Sequence, residues 1–259
     1  MNLFPLLFHG ISGSSREEAG FRPEERFYVT SREKFQGLAD WISRRGYRVL
    51  TAADLLGDEE RPDITQATIL TFDDALPSHH RHALPVLAER KLHGMFFLVT
   101  DDVGKPDRLG WGDVRDLDHA GMTIGTHGRT HRLFSHLGAR ELREELRSSK
   151  RELEDRLGKE VHLCALPGGA WHPDTAAAAR ESGYRGLLMS GVRRHVIDSV
   201  PKIWYRFTVV RKTPLDDMEG FLLGRKVIRF RYRARAAAVA LIKGVLGRKW
   251  YRTLKGSYG

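Results

Sequence analysis

The chain has 259 residues, 41% hydrophobic and 29% charged, an ordinary globular balance that excludes a disordered or collagen-like protein. Its one cysteine, Cys164, cannot form an intramolecular disulfide, which excludes a small disulfide-stapled scaffold. The net charge of +10 is uneven: residues 220–259 hold eleven Lys or Arg and no Asp or Glu, while residues 1–219 hold 32 basic and 33 acidic side chains. Because the body has no basic excess, we expect no nucleic-acid partner.

Short apolar runs alternate with helix-like stretches along the chain. Strands are expected at 3–8, 47–50, 67–72, 95–99, 122–125, 161–166, 186–189 and 203–210. Helices are expected after Ser31 up to Gly46, and at 78–90, 111–120, 139–157 and 173–182. This alternation predicts a parallel sheet, open or closed, and the strand count favours a distorted (β/α) barrel of about seven strands. We expect residues 1–219 to form this domain and residues 220–259 to form a basic amphipathic tail.

Two polar motifs directly follow predicted strands, where parallel α/β folds carry their chemistry. One holds Asp73 and Asp74, and the other holds His127 and His131. Two imidazoles and one carboxylate leave a coordination position open, which is typical of a catalytic metal site, and a second carboxylate can take a proton from metal-bound water. The alternative is a helix-capping acidic pair and two solvated histidines.

Together, the motifs at 71–74 and 127–131 resemble those of the polysaccharide deacetylases of the NodB-homology group, the family 4 carbohydrate esterases. Similar residues continue at 83–87 and 95–99, at Trp111, and from Glu145 to Gly158, so the resemblance covers residues 1–210. It implies that Asp74, His127 and His131 bind one divalent metal. Zn²⁺ suits these ligands best, and Co²⁺ or Ni²⁺ also fits them.

The same resemblance implies a reaction and a substrate. Asp73 would be the general base that activates water for attack on an acetamide carbonyl, and the oxyanion would be stabilised by the metal and a backbone N–H. The expected substrate is an acetylated amino sugar in a polysaccharide or lipid-linked glycan, and the products are acetate and a free amine. The alternatives are deacylation of another amide or ester, and a weakened relative that only binds glycan.

The sequence departs from the family pattern at two places. An Arg that orients the base is replaced by Ala165, and a late His that supplies the general acid is missing from the last predicted strand. His9, at the end of the first predicted strand, resembles the early His of the circularly permuted biofilm-polysaccharide N-deacetylases, so we expect it to be the acid; the alternative is a structural His. Three further histidines, His79, His80 and His82, are expected on a helix surface.

Other residues are expected near the substrate. Pro167, Gly168 and Gly169 suit a tight loop that brings backbone close to a sugar. Trp171 follows this loop and would stack on a sugar ring or pack in the core. Arg206, on the last predicted strand, is expected to bind substrate, and it is also a candidate to compensate for Ala165.

The basic tail has two interpretations. It would form an amphipathic helix on an anionic membrane surface, or a solvated segment that docks a partner. The alternation of Arg229, Arg231, Arg233 and Arg235 does not keep one helical face, which speaks against the membrane interpretation, whereas the one-signed charge and high apolar content favour it. No targeting pattern is present, so we expect a cytoplasmic protein that is peripheral at the inner face of the membrane.

Overall fold

A computed structural model describes residues 3–57, 66–193, 195–235, 237 and 238. In this part of the chain, seven parallel strands close into a barrel. In chain order they are β1 (Leu6–Phe8), β2 (Leu70–Asp73), β3 (Met95–Leu98), β4 (Thr123–Thr126), β5 (Leu163–Ala165), β6 (Gly186–Ser190) and β7 (Lys202–Thr208). The order around the barrel is β1-β7-β6-β5-β4-β3-β2. The predicted barrel is confirmed.

The first strand closes the barrel. Leu6 of β1 pairs with Phe207 of β7 on one side and with Leu70 of β2 on the other. Because β1 lies between the second strand and the last, residues from opposite ends of the chain meet inside the barrel.

Helices surround the barrel, and short strand pairs lie outside it. The helices and helical turns are Ser15–Gly20, Pro23–Arg26, Arg32–Arg44, Ala52–Leu56, His79–Ala83, Leu84–Glu89, Thr100–Asp102, Trp111–His119, Phe134–His136, Ala139–Leu157, Pro167–Gly169, Thr175–Glu181 and Leu215–Leu222. The short strand pairs are Ile11–Ser12 with Thr30–Ser31, and Arg48–Val49 with Ala67–Thr68. The strand expected at 47–50 is therefore real but lies outside the barrel.

Side chains alternate along the strands between the barrel interior and the helical layer. Leu70 and Phe72 of β2 pack with Phe35 and Leu38 of the helix Arg32–Arg44. Residues of the other parity form a separate cluster inside the barrel: Ile69, Met95, Phe97, Leu163, Ala165, Leu188 and Trp204. Asp73 and Arg206 have the same inward-facing parity. Two charged side chains therefore lie in an otherwise apolar barrel interior.

The segment after β7 continues the packed fold. The helix Leu215–Leu222 spans the boundary expected at 219/220, and it buries Phe221 against Phe207 with ring centroids 4.6 Å apart. A further helical stretch covers residues 226–235. The rest of the predicted tail, after residue 238, lies outside the described residues, so the domain division stays a prediction. No helix among the described residues combines the length and apolarity that crossing a membrane requires.

Candidate active site

The two acidic residues at the end of β2 approach the same imidazole. Asp73 is the last residue of β2, and Asp74 takes a left-handed backbone conformation with φ of 80°. Consecutive residues of a regular strand point to opposite faces, and the left-handed turn removes this restriction. His127 Nε2 consequently lies 3.7 Å from Asp73 Oδ2 and 3.5 Å from Asp74 Oδ1.

The histidine motif follows β4 and is held by hydrogen bonds. His127 Nδ1 donates to the carbonyl oxygen of Ala165 over 2.8 Å, which leaves the lone pair of Nε2 directed at the carboxylates. His131, with φ of 62°, places Nε2 3.3 Å from Asp74 Oδ1. Between them, the Thr130 backbone N–H donates to Glu145 Oε1 over 2.6 Å, so the helix Ala139–Leu157 clamps the loop.

Asp74, His127 and His131 fit a divalent metal. One ligand atom from each lies within 4.8 Å of the others. Asp74 Oδ1 is buried and has no hydrogen-bond partner among the described residues, an arrangement that a bound cation would satisfy. Two imidazoles and one carboxylate leave a position open for water or substrate.

The protonation states suit metal binding. Burial raises the pKa of Asp74, but His131, His9 and His127 outweigh it and hold the pKa well below its usual range. Burial lowers the pKa of His127, which favours the neutral imidazole that binds metals. Burial also lowers the pKa of His131, yet the Asp74 carboxylate beside it outweighs burial and raises it. A cation must displace that proton, so we expect metal affinity to fall in acid.

Asp73 is paired with an arginine inside the barrel. Arg206 Nη1 and Nη2 donate to the two carboxylate oxygens over 2.8 Å each, and Nη1 also donates to Thr71 Oγ1 over 3.2 Å. Asp73 is 1% exposed and Arg206 is 0% exposed. Burial raises the pKa of Asp73, but Arg206 and His127 offset this and hold it below its usual range. Asp73 therefore stays an anion able to accept a proton.

This pairing changes the interpretation of Arg206. We expected Arg206 to bind substrate, but its guanidinium lies buried behind Asp73, with its carbon 5.5 Å from the Phe97 ring centroid. Its position instead matches the other expectation, that it compensates for the missing Arg at Ala165. Both residues belong to the inner face of the barrel, Ala165 on β5 and Arg206 on β7.

His9 lies beside the acidic pair. It follows β1, and its Nε2 is 4.0 Å from Asp74 Oδ2. His79 Nε2 donates to the His9 carbonyl over 2.9 Å, and the rings of His9 and Tyr28 lie 4.8 Å apart. The placement of His79 and His82 on a helix surface was wrong: both are buried, His79 completely, and burial lowers the pKa of His79 to about 4. Through this hydrogen bond, the buried His79 ring supports the backbone of His9.

The predicted substrate loop adjoins the histidine loop. Gly168 and Gly169 have φ of 60° and 62°, and a Cβ at Gly169 would lie 3.1 Å from the backbone nitrogen of Ser190. A Cβ at Gly128, in the histidine loop, would lie 3.6 Å from Cγ of Pro167. Trp171 is 38% exposed, so it is not packed in the core.

Some residues of the site escaped the sequence analysis. Glu145 was noted for its resemblance only, although a charged residue on the apolar stripe of a helix signals a buried partner, and Glu145 is indeed buried. A second group of metal-binding residue types, His80, Asp113 and Asp116, lies on the surface, where His80 Nε2 is 3.1 Å from Asp116 Oδ2.

Part of the chain matches a family of known proteins. Residues 61–187 match the family model of polysaccharide deacetylases. The match contains the acidic pair and both histidines of the metal set, whereas His9 and Arg206 lie outside it. No curated protein gives a significant sequence match.

Several solved structures share the fold. The Streptococcus pyogenes deacetylase PplD, in complex with acetate, is 16% identical with a TM-score of 0.74, over 86% of this chain and 98% of that chain. IcaB from Ammonifex degensii is 24% identical with a TM-score of 0.68, over 85% and 96%. A polysaccharide deacetylase from Bacillus cereus is 18% identical with a TM-score of 0.73, over 86% and 69%. At these identities the likeness is one of fold.

Proposed function

Because residues 61–187 match the polysaccharide deacetylase family model, we propose that the chain is a metal-dependent hydrolase that removes N-acetyl groups from an amino sugar. The substrate class is a polysaccharide or a lipid-linked glycan. One observation carries the proposal: the buried, unpartnered Asp74 Oδ1 lies within 3.5 Å of Nε2 of both His127 and His131, beside a second carboxylate.

Asp74, His127 and His131 would hold the metal, and Zn²⁺ suits this set best. When bound, a divalent cation supplies Lewis acidity, which polarises an acyl oxygen and makes water more acidic. The ligand residues follow the carboxyl ends of β2 and β4, and at this end of the barrel the loop 167–169 and Trp171 would orient the sugar.

Asp73 is the proposed general base. Its lowered pKa keeps it ionised at neutral pH, and it takes the proton of the attacking water. Arg206 fixes the carboxylate through two hydrogen bonds and stabilises its negative charge. Arg206 itself takes no part in the proton transfer. His9 then donates a proton to the leaving amine, for which its position 4.0 Å from Asp74 is suitable. The products are acetate and a free amine on the sugar.

The proposal is tested by measuring metal content and acetate release on the same preparations. We expect about one divalent metal per chain and acetate release from an N-acetylated amino-sugar oligomer. Asp74→Ala should lose both, whereas Asp73→Asn should lose acetate release and keep the metal, because Asp73 is not a ligand. Asp116→Ala removes a member of the surface group and controls for adventitious metal, so its metal content should equal that of the wild type.

Two outcomes would contradict the proposal. If neither the wild type nor Asp74→Ala holds metal after reconstitution, the hydrolytic mechanism fails and a glycan-binding role replaces it. If acetate release survives in Asp73→Asn, the base is another group. The cytoplasmic location stays a prediction that these experiments do not address.

A further inference from the structure

The helical stretch 226–235 has one face packed on the domain. Ile228 and Tyr232 pack against the hydrophobic core. The Tyr232 ring lies 4.5 Å from that of Phe207 in β7, and its hydroxyl donates to Asp217 over 2.9 Å. Arg229 stacks on Phe4, with its guanidinium carbon 5.6 Å from the ring centroid. These contacts hold the helix against the flank of the barrel.

The opposite face of this helix is apolar and exposed. Val227 is 75% and Phe230 is 73% exposed, more than any other large hydrophobic side chain in the described part of the chain. The exposed Ala234 and Ala237 continue the same line at spacings of four and three residues, which is one face of an α-helix. Apolar residues aligned along a surface, unlike scattered ones, mark a binding site.

Cations lie along both sides of this apolar stripe. At 3.6 residues per turn, Lys226 and Arg233 lie roughly 70–90° to one side of it, and Arg231 and Arg235 roughly 70–110° to the other. All four side chains are exposed, and Arg231 also forms an ion pair with Asp217. Three of the four alternating arginines, Arg231, Arg233 and Arg235, therefore lie along the two sides of one outward surface, whereas Arg229 packs on Phe4.

We propose that this surface, defined by Val227, Phe230 and Ala234 with their flanking cations, binds anionic phospholipid bilayers. A helix lying in the membrane interface inserts its apolar face to the depth of the acyl boundary, and cations beside it meet the lipid phosphates. The absence of any acidic residue from 220 to 259 supplies the matching charge. A nucleic acid would use the cations but leave Phe230 exposed to water.

The proposed surface is separate from the candidate active site. The helix contacts Phe4, Phe207 and Asp217, and none of these belongs to the metal set or touches Asp73. Membrane binding through this surface would therefore attach the protein by the side of the barrel and leave the candidate active site beside His9 accessible. Changes on this surface should leave hydrolysis of a soluble substrate unaltered, which separates this proposal from the proposed function.

The test uses the full chain and vesicle cosedimentation. Wild type should bind phosphatidylcholine vesicles that contain about 30% phosphatidylglycerol, and should not bind pure phosphatidylcholine. Val227→Ser with Phe230→Ser, and separately Lys226→Glu with Arg233→Glu, should each lower partitioning about tenfold or more. Arg147→Glu with Arg151→Glu makes the same charge change on an exposed face of the helix Ala139–Leu157 and should bind as wild type does.

A fluorescent label reports where contact occurs. Ala234→Cys can be labelled selectively with a polarity-sensitive dye, because Cys164 is fully buried and burial raises its pKa to about 12. We expect blue-shifted emission when anionic vesicles are added. Wild-type binding by the Ser double variant, or an unshifted label on bound protein, would overturn the proposal. So would binding of duplex DNA together with indifference to anionic vesicles.

Discussion

Replacing Arg206 by alanine tests the arrangement behind the proposed base. The change removes two 2.8 Å charge-assisted hydrogen bonds and leaves Asp73, which is 1% exposed, as an unpaired buried anion. Breaking a buried ion pair in this way costs about 3–5 kcal/mol of unfolding free energy. For a domain of this size that corresponds to a melting temperature lower by roughly 10 °C.

The same change alters the pH dependence of activity. Burial raises the pKa of Asp73, and Arg206 is the largest effect that lowers it, so Arg206→Ala should raise this pKa. Asp73 must be ionised to accept a proton, so the acid limb of kcat/KM should move to higher pH. At neutral pH we expect kcat/KM to fall about 10–100-fold, the usual cost of losing a partner that orients a site. The stability deficit should shrink in acid, because protonation removes the unpaired charge.

Acetate release across a pH series, with thermal unfolding on the same samples, measures both effects. Arg206→Lys keeps a charge but loses the two-pronged contact, so it should fall between wild type and Arg206→Ala and offers a variant that folds. Arg211→Ala is the matched control, since Arg211 forms an exposed ion pair with Glu18 worth at most about 1 kcal/mol. Wild-type kcat/KM and an unmoved acid limb in a folded Arg206→Ala protein would refute the positioning role.

Three further predictions concern the same site. His9→Ala should retain its metal and lower turnover about 10²–10⁴-fold; unchanged turnover would make His9 structural. Adding Ala165→Arg to Arg206→Ala returns a guanidinium to the barrel interior from β5, and we expect kcat/KM to recover at least in part; no recovery in a folded double variant would show that β5 cannot supply it. Gly128→Ala forces φ of 74° on a residue with a Cβ and places that atom 3.0 Å from Glu145 Oε1, so it should cost about 1–2 kcal/mol and weaken metal binding; wild-type melting and metal content would show that the loop tolerates the change.

The sequence predicted what depends on local pattern. The helix Ala139–Leu157 has its expected bounds, because leucines repeat on one face and Gly158 ends it in a left-handed conformation. The acidic pair and the histidines were expected to meet, since all follow parallel strands, and the structure brings each of the four side chains within 3.7 Å of another member of the set. The role of each residue in this set stays a prediction.

The features that were not predicted depend on contacts between residues that are far apart in the chain. Arg206 and Asp73 are 133 residues apart, and their pairing required knowledge that β1 lies between β2 and β7. His79 was expected at the surface because polar residues usually are, but the His9 carbonyl needs a buried donor. The positions of Arg231, Arg233 and Arg235 along the two sides of the apolar stripe could be recognised only once the packed face of the helical stretch 226–235 was known.

The Asp73–Arg206 pair also has a consequence for the time at which the protein becomes competent. During synthesis, Asp73 leaves the ribosome long before Arg206, and no β7 exists to enclose it. An incomplete chain would have to bury an uncompensated carboxylate in order to build the site, which is strongly unfavourable. The ion pair that would orient the proposed base is thus formed by the same event that closes the barrel. A truncated or half-folded chain would therefore lack the proposed base in its paired form, and the proposed activity would be confined to fully folded molecules.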